Sequence, residues 1–368
     1  MAILVLNAGS SSLKFAVYDE KGPGERLRGQ VSGIGTAPRL VCGEISKLLP
    51  AATTYRDGLA ILLAFLRDEG VSQTVLRGIG HRVVHGGAAF VSPTLIDDTV
   101  LTTLDSLRSL APLHLPFGIG VLRDMRALLP EVPQVACFDT AFHATQPELA
   151  TRLPLPRVYR EKGYRRYGFH GLNYEHIVSA LPAQAGGTLP RRLLAAHLGS
   201  GSSMCAIEDG KSVGTTMGFS TADGLVMGTR TGSIDPGVLV ALMRDEKLTL
   251  DQLEDLLYRK SGLLGLSGIS GDMRELLANE RPEAAEAVEY YCYSAARHAA
   301  SLVPALGGVD AIVFTGGVGE NAGPVRSRIM AHLAWLHVPP SHVHVIPANE
   351  ELTMARHVAS VLALTPEA

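Results

Sequence analysis

Two stretches of the chain repeat one pattern. The first is Ile3-Leu4-Val5-Leu6-Asn7-Ala8-Gly9-Ser10-Ser11-Ser12-Leu13-Lys14-Phe15-Ala16-Val17. The second is Leu193-Leu194-Ala195-Ala196-His197-Leu198-Gly199-Ser200-Gly201-Ser202-Ser203-Met204-Cys205-Ala206-Ile207. Each is an apolar run, a small-residue turn with a Gly-Ser pair, and a second apolar run. Each then reaches an acidic residue and a glycine, Asp19 to Gly22 and Glu208 to Gly210. The copies lie half a chain length apart. A duplicated strand–turn–strand predicts two related halves, each offering backbone N–H and hydroxyl donors at its turn. Such turns suit phosphate, because an oxyanion needs several N–H groups at close range and glycine lets the backbone approach.

Composition narrows the class. The 368 residues suffice for two domains with sizeable cores. A hydrophobic fraction of 46% with 19% charged residues fits a folded soluble chain rather than a disordered one. The formal net charge is -3 and there is no basic tract, so nucleic acid is not the expected partner. No apolar run is long enough to span a bilayer, and the N-terminus opens directly on a strand pattern. Cys42, Cys137, Cys205 and Cys292 lie far apart in apolar settings and read as buried, reduced thiols. A cytoplasmic protein without a membrane partner is expected.

Periodicity places the elements. Thr54 to Arg67 reads as a helix with Leu59, Leu62, Leu63 and Leu66 on one face. A strand from Leu76 to Val84 ends in His81-Arg82-Val83-Val84-His85-Gly86-Gly87, and one from Val132 to Phe138 delivers Asp139 at its C-terminal end, where open α/β sheets place their chemistry. The proline-rich stretch Pro147 to Pro156 is a candidate hinge. A glycine-dense loop runs from Thr215 to Gly237, and loops of that length are usually functional. Thr249 with Gln252 forms a capping box ahead of a helix, and Pro282 to Leu306 is a long helix.

Two motifs mislead. Gly317-Val318-Gly319-Glu320-Asn321-Ala322 follows a strand and matches an Ala-ended dinucleotide fingerprint. The acidic residue expected further on is missing, because that region reads His337-Val338-Pro339-Pro340. Gly210-Lys211-Ser212 resembles the end of a P-loop, but Cys205 stands at the first glycine, and a hairpin turn is the simpler reading. His81 and His85 flank a strand, not a helix, and give no zinc pattern.

The chemistry-bearing residues are dispersed. Phosphoryl transfer asks a protein for positioning and for neutralisation of charge on the equatorial oxygens. That calls for cations, an anion-cradling backbone and a carboxylate for a divalent ion. Lys14, Arg82, Asp139, His170, His197 and Arg230 each sit at a strand end or glycine-flanked turn. Taken singly, Arg82 reads equally as a surface ion pair and Asp139 as a helix cap, and His170 reads more readily as a core histidine. Their joint placement on loops favours a site.

These residues lie in longer motifs: Leu6 to Phe15, Gly80 to Gly87, Phe138 to His143, Tyr167-Gly168-Phe169-His170-Gly171, His197 to Gly201, Gly228-Thr229-Arg230-Thr231-Gly232, Ser267 to Arg274, and Thr315 to Asn321. With them the chain resembles the acetate kinase family of short-chain carboxylate kinases, within the acetate and sugar kinase/Hsp70/actin superfamily, from Ile3 to Arg356. The resemblance implies an α/β duplicated ribonuclease H-like fold with an interdomain active-site cleft, of repeated β-β-β-α-β-α-β-α topology. It divides the chain into 1–146 plus 352–368, with a returning C-terminal helix, and 147–351.

The activity implied is reversible phosphoryl transfer from ATP, as substrate, to acetate, giving ADP and acetyl phosphate, with Mg²⁺ or Mn²⁺, in a homodimer. Asn7 and Glu350 would help hold the metal and Lys14 would reach ATP. Arg82 would bind the carboxylate, Asp139 would act as acid/base or metal-positioning group, and His170 and Arg230 would stabilise the transferring phosphoryl. Val84, Leu113, Phe169 and Thr221 would wall the acyl pocket. His197, Leu198, Gly199, Ser200 and Gly201 would line the phosphates, Asp272, Met273 and Arg274 the adenosine, and Gly317, Val318, Gly319, Glu320 and Asn321 the nucleotide turn.

A carboxylate is already a nucleophile at neutral pH, so Asp139 fits metal positioning better than proton acceptance. The chain departs from the family pattern at Thr221-Ala222-Asp223, where proline then leucine-glutamate is usual. It departs again at Leu115, in place of an asparagine, and at Thr231 and Ser233 beside Arg230. Those departures leave a propionate- or butyrate-type kinase as the alternative acid reading. A nucleotide switch or sensor of the same superfamily is the non-kinase alternative, but no peptide-binding or filament-forming insertion is visible.

Overall fold

The computed structural model describes all residues except 10, 21–23, 113–114 and 365–368. It separates into two units, Met1–Ala141 with Asn349–Ala368, and Phe142–Ala348. The proline-rich stretch read as a hinge lies inside the second unit, where it holds the short helices Glu148–Thr151 and Arg157–Glu161.

The first unit is built on β1 (Ala2–Ala8), β2 (Ser12–Asp19), β3 (Glu25–Ser32), β4 (Arg39–Cys42), β5 (Ile45–Leu48), β6 (Leu76–Val83), β7 (Thr94–Leu95) and β8 (Gln134–Phe138). They form one sheet in the order β5-β4-β3-β2-β1-β6-β8-β7. The second unit carries β9 (Arg192–Leu198), β10 (Ser202–Glu208), β11 (Lys211–Thr215), β12 (Ala311–Thr315) and β13 (Val343–Val345), in the order β11-β10-β9-β12-β13. The duplication seen in the sequence is therefore a duplication of topology. β1 and β2 are antiparallel, and β1, β6 and β8 run parallel. β9 and β10 are antiparallel, and β9, β12 and β13 run parallel.

Parallel strands must be covered on both faces, which explains why β1, β8, β9 and β12 read as nearly unbroken apolar runs. In the first unit the helix Tyr55–Asp68 buries Leu59, Leu62 and Leu66, spaced as one face of a helix requires. Thr54 and Asp57 close a capping box at its start, a feature typically contributing about 1 kcal/mol. These leucines share a core with Leu13, Phe15 and Val31, so Leu62→Ala costs about 2–5 kcal/mol. The helix Glu350–Leu364 covers the other face. Gly80 makes that approach possible, because a Cβ there would lie 2.9 Å from Val358 and 3.3 Å from Val5.

The second unit repeats the layering. The helix Pro282–Leu306 packs Tyr291, Ala295, Ala299 and Leu302 onto the core that includes Met204 and Ala206 of β10. The helix Gly171–Ala180 places Tyr174 and Ile177 against Ala195, Cys205 and Val313. Gly210 closes the β10–β11 hairpin at φ 77°, as expected of a hairpin turn rather than a P-loop. Gly316–Asn321, the false dinucleotide fingerprint, is a short helix after β12.

Candidate active site

In the first unit, three neighbouring parallel strands deliver polar residues at their C-terminal ends. Asn7 is the penultimate residue of β1, Arg82 that of β6, and Asp139 follows β8 directly. The Arg82 guanidinium grips Asp139 as a fork, with Nε donating to Oδ1 at 2.9 Å and Nη2 to Oδ2 at 2.6 Å. Nη1 donates to Asn7 Oδ1 at 3.2 Å, and Nε lies 3.5 Å from Glu350 Oε2, at the start of the returning helix. Asp139 is 1% exposed. Burial works against the charge on Arg82, but Asp139 and Glu350 overcome it and hold the guanidinium pKa above its ordinary value. Lys14 pairs with Asn7 across the β1–β2 register, so both project from the same face, and Lys14 is exposed.

The turn between β1 and β2 is braced from below. Gly9 N–H donates to the Ser12 carbonyl at 2.8 Å, and the Tyr55 hydroxyl donates to the Gly9 and Ser12 carbonyls. Val84 is half-buried beside Arg82. Leu113 lies outside the described residues. Leu115 does not face a polar site. It is 1% exposed and packs with Val83, Ile119 and Phe138.

The two histidines near Arg82 are structural. His81 Nε2 bonds Gln134 Oε1 at 2.8 Å, and His85 Nδ1 accepts from Gly87 N–H at 2.9 Å. Burial pushes both down to about 4, so both are neutral at pH 7.

Metal fit can be judged from the donor set. Asn7, Asp139 and Glu350 gather three oxygen-bearing side chains around Arg82, and all-oxygen coordination is what Mg²⁺ takes. Among the described residues, no group of three or more His, Cys, Asp or Glu is arranged to hold an ion unaided. The oxygens present fit a cation that takes further ligands from phosphate.

In the second unit, His170 sits at the start of the helix Gly171–Ala180 in the left-handed region, at φ 60° and ψ 22°. Its Nδ1 bonds Ser203 Oγ at 2.8 Å, and its ring stacks on His197 with centroids 4.1 Å apart. His197 Nδ1 accepts from Asn173 Nδ2 at 2.8 Å, so the neutral ring carries its proton on Nε2. Arg230 Nη1 donates to the Thr221 carbonyl at 3.0 Å. A Cβ on Gly201 would stand 3.5 Å from His170 Nε2 and 3.6 Å from Arg230 Nη1. Both donors therefore converge on the bare backbone of the second donor-rich turn. Phe169 is 1% exposed, and Thr221 is half-buried with its backbone, rather than its hydroxyl, anchoring Arg230.

A cavity of about 860 Å³ opens beside that turn. Gly199, Ser200, Asp272, Met273, Arg274, Gly317, Val318 and Asn321 line it. Its size suits a nucleotide, within the range of small-molecule pockets. Arg274 pairs with Asp272 at 2.5 Å and helps hold that carboxyl down to about 2. Leu198 and Gly319 stand behind the wall, where Leu198 is fully buried and a Gly319 Cβ would sit 3.6 Å from it. Glu320 is turned to the Ala348 N–H, which it accepts at 2.9 Å. Gly228, Thr229, Leu263, Gly271, Leu277 and Ala322 also line the cavity and were missed as site residues. The Gly228–Gly232 motif already pointed to the first two. Gly271 and Ala322 lie within motifs also quoted above, and Leu263 and Leu277 lie on helices too short to show a period.

Comparisons with known proteins place the chain in a family. The chain matches the Acetokinase family over residues 2–356. It is 44% identical to the acetate kinase of Rhodopseudomonas palustris, covering 97% of each chain. It is 44% identical to that of Nitrobacter hamburgensis, covering 98% of this chain and 96% of the relative. Among solved structures, a propionate kinase from Francisella tularensis superposes with a TM-score of 0.91 at 35% identity, covering 97% and 98% of the two chains. The Porphyromonas gingivalis acetate kinase superposes with a TM-score of 0.89 at 32% identity, covering 98% and 99%.

Proposed function

The chain belongs to the acetokinase family, and from that premise we propose how its residues divide the work of a carboxylate kinase. The enzyme transfers the γ-phosphoryl group of ATP to acetate, giving ADP and acetyl phosphate. An oxygen of the acid forms a bond to the γ-phosphorus, and the bond to the β-bridging oxygen breaks. The nucleophile arrives ionised, so no proton is taken from it. The demand is electrostatic, because two anions must be brought into line and the charge on the equatorial oxygens neutralised.

Arg82 meets the first demand. A planar guanidinium already held by Asp139 offers a carboxylate a fixed cation. This fork is the observation that carries the reading. It supports a role for Asp139 in orienting Arg82 rather than in proton transfer, since a carboxylate committed to a guanidinium is a poor proton acceptor. His170 and Arg230 meet the second demand, both close to the bare Cβ position of Gly201. The glycine-lined cavity takes the nucleotide, and the family pattern gives Lys14 a part in binding it. Asn7 and Glu350 would help hold Mg²⁺, or Mn²⁺, which would supply charge neutralisation to the transferring phosphoryl. The family pattern gives Val84, Phe169 and Thr221 to the acyl group.

A homodimer is the assembly proposed. The helix Pro236–Arg244 is apolar on every side yet buries none of its residues, and Val238, Val240 and Met243 are 43%, 57% and 39% exposed. A contiguous apolar face of this kind marks an interaction surface. The helix Pro282–Leu306 also exposes Tyr290 and Tyr293, but Tyr293 already packs on His332 and Arg297. Four buried free thiols suit a reducing cytoplasm.

The test is acyl phosphate formation, trapped as the hydroxamate, with Mg-ATP and acids from formate to butyrate, lactate included. Product is expected with acetate. ATP hydrolysis without product from any acid would contradict the assignment.

A further inference from the structure

His143 ends the Phe138–His143 motif and has no part in the chemistry above. It is 1% exposed. Its Nε2 lies 2.9 Å from the carbonyl oxygen of Phe169. A carbonyl only accepts, so Nε2 carries the proton. Nδ1 is then a lone pair, and it accepts from Ser212 Oγ at 2.9 Å. With its hydrogen committed, Ser212 Oγ accepts from Cys205 Sγ at 3.3 Å. A single line of donors thus runs from Cys205 through Ser212 and His143 to the Phe169 carbonyl. Cys205 and Ser212 are fully buried. Burial pushes His143 down to about 4 and Cys205 up to about 12, so both are neutral near pH 7 and the line keeps its direction.

The line ends at the residue before His170. Gly168 has a φ of 84°, and a Cβ on it would lie 2.6 Å from the His143 ring. His170 itself holds a left-handed backbone at φ 60°, a conformation that disfavours non-glycine residues. A turn of this kind persists only when its surroundings over-determine it. The imidazole supplies that determination from below, by contact at Gly168 and by hydrogen bond at Phe169.

We propose that His143 is a positioning residue for phosphoryl transfer: it fixes the Phe169–His170 peptide so that His170 Nε2 faces Gly201. This rests on the reading of His170 as a phosphoryl-stabilising group. Arg166 holds the neighbouring loop independently, through Asp223 at 3.0 Å and the Thr216 carbonyl at 3.1 Å, so His143 acts on the histidine and not on Arg230.

The test uses the full-length enzyme in three variants, His143→Leu, His143→Gln and His170→Ala. His143→Leu is expected to lower kcat about 100-fold, the scale of an ångström's misplacement, with KM for ATP little changed. His143→Gln keeps an N–H donor at the Nε2 position and should recover most of the loss. Histidine ¹⁵N spectra give an activity-independent readout. Native His143 should be the Nε2–H tautomer, and the His170 ring signals should move in His143→Leu and return in His143→Gln. Near-native turnover in His170→Ala would overturn the role of His170 while leaving the ring signals to judge His143. A native Nδ1–H tautomer, or a folded His143→Leu with native kcat and unmoved His170 signals, would overturn the proposal. Should His143→Leu not fold, the tautomer and the glutamine variant decide.

Discussion

Arg82 and Asp139 form a two-pronged ion pair, 2.9 and 2.6 Å, between the ends of adjacent parallel strands. The pair is both structural and functional. Asp139 is buried, so removing Arg82 strands a carboxylate away from water. Arg82→Ala is expected to cost about 3 kcal/mol of stability, read by urea unfolding. Asp139→Asn should lower kcat without changing the shape of its pH profile, because the residue orients a cation and accepts no proton. Loss of a limb of that profile would assign Asp139 to proton transfer instead.

His81, His85 and His143 give the fold a predictable response to acid. Each is held by burial at about 4 against an ordinary 6.5. Between those values the unfolded chain binds protons that the folded chain does not, so stability rises with pH across the window. The folded state is unpenalised above the upper value and weakens as pH falls toward the lower one. Each histidine contributes a slope of about 1.4 kcal/mol per pH unit. Urea unfolding at pH 7, 6 and 5 should show the combined slope, and His81→Gln should flatten it by one histidine's share. A flat profile would contradict the neutral, buried assignment.

Thr221 tests acid selection. Its carbonyl, not its side chain, receives Arg230. Thr221→Pro keeps that carbonyl and removes the hydroxyl, so kcat should hold while preference moves toward acetate over longer acids. An unchanged ranking in the hydroxamate assay would remove Thr221 from the pocket wall.

The exposed helix tests assembly. Val240→Glu places a charge at the centre of the Pro236–Arg244 face. Sedimentation should show half the mass of the parent enzyme. A native mass would move the interface elsewhere.

What the sequence disclosed follows physical lines. The duplicated turn was legible because its apolar runs and glycine-serine turns are local, and both hairpins form in register. Arg82 and Asp139 stood out because each lies at the end of a strand pattern, Asn7 came from the family resemblance, and the parallel pairing of β1, β6 and β8 brings the three together. Glu350 joins them only because its helix packs back on β6, a long-range contact that no spacing encodes; the family resemblance alone suggested it. Leu263 and Leu277 escaped notice because the helices Gly262–Ser267 and Met273–Leu277 are too short for amphipathic periodicity. Leu115, a departure from the family pattern, proved to be a core residue. Burial, unlike periodicity, is decided by the neighbours that tertiary structure supplies.

The most direct test of the account separates acid binding from nucleotide binding in Arg82→Ala and Arg230→Ala. Turnover with Mg-ATP and acetate should fall on the order of a thousandfold in each, the scale of other cationic phosphoryl clamps. ADP affinity, measured by titration, should stay near native in Arg82→Ala, because the nucleotide cavity is lined by residues of the second unit alone. Near-native turnover in either variant would contradict the role given to that arginine, and an ADP affinity that falls in step with turnover in Arg82→Ala would contradict the assignment of Arg82 to the carboxylate.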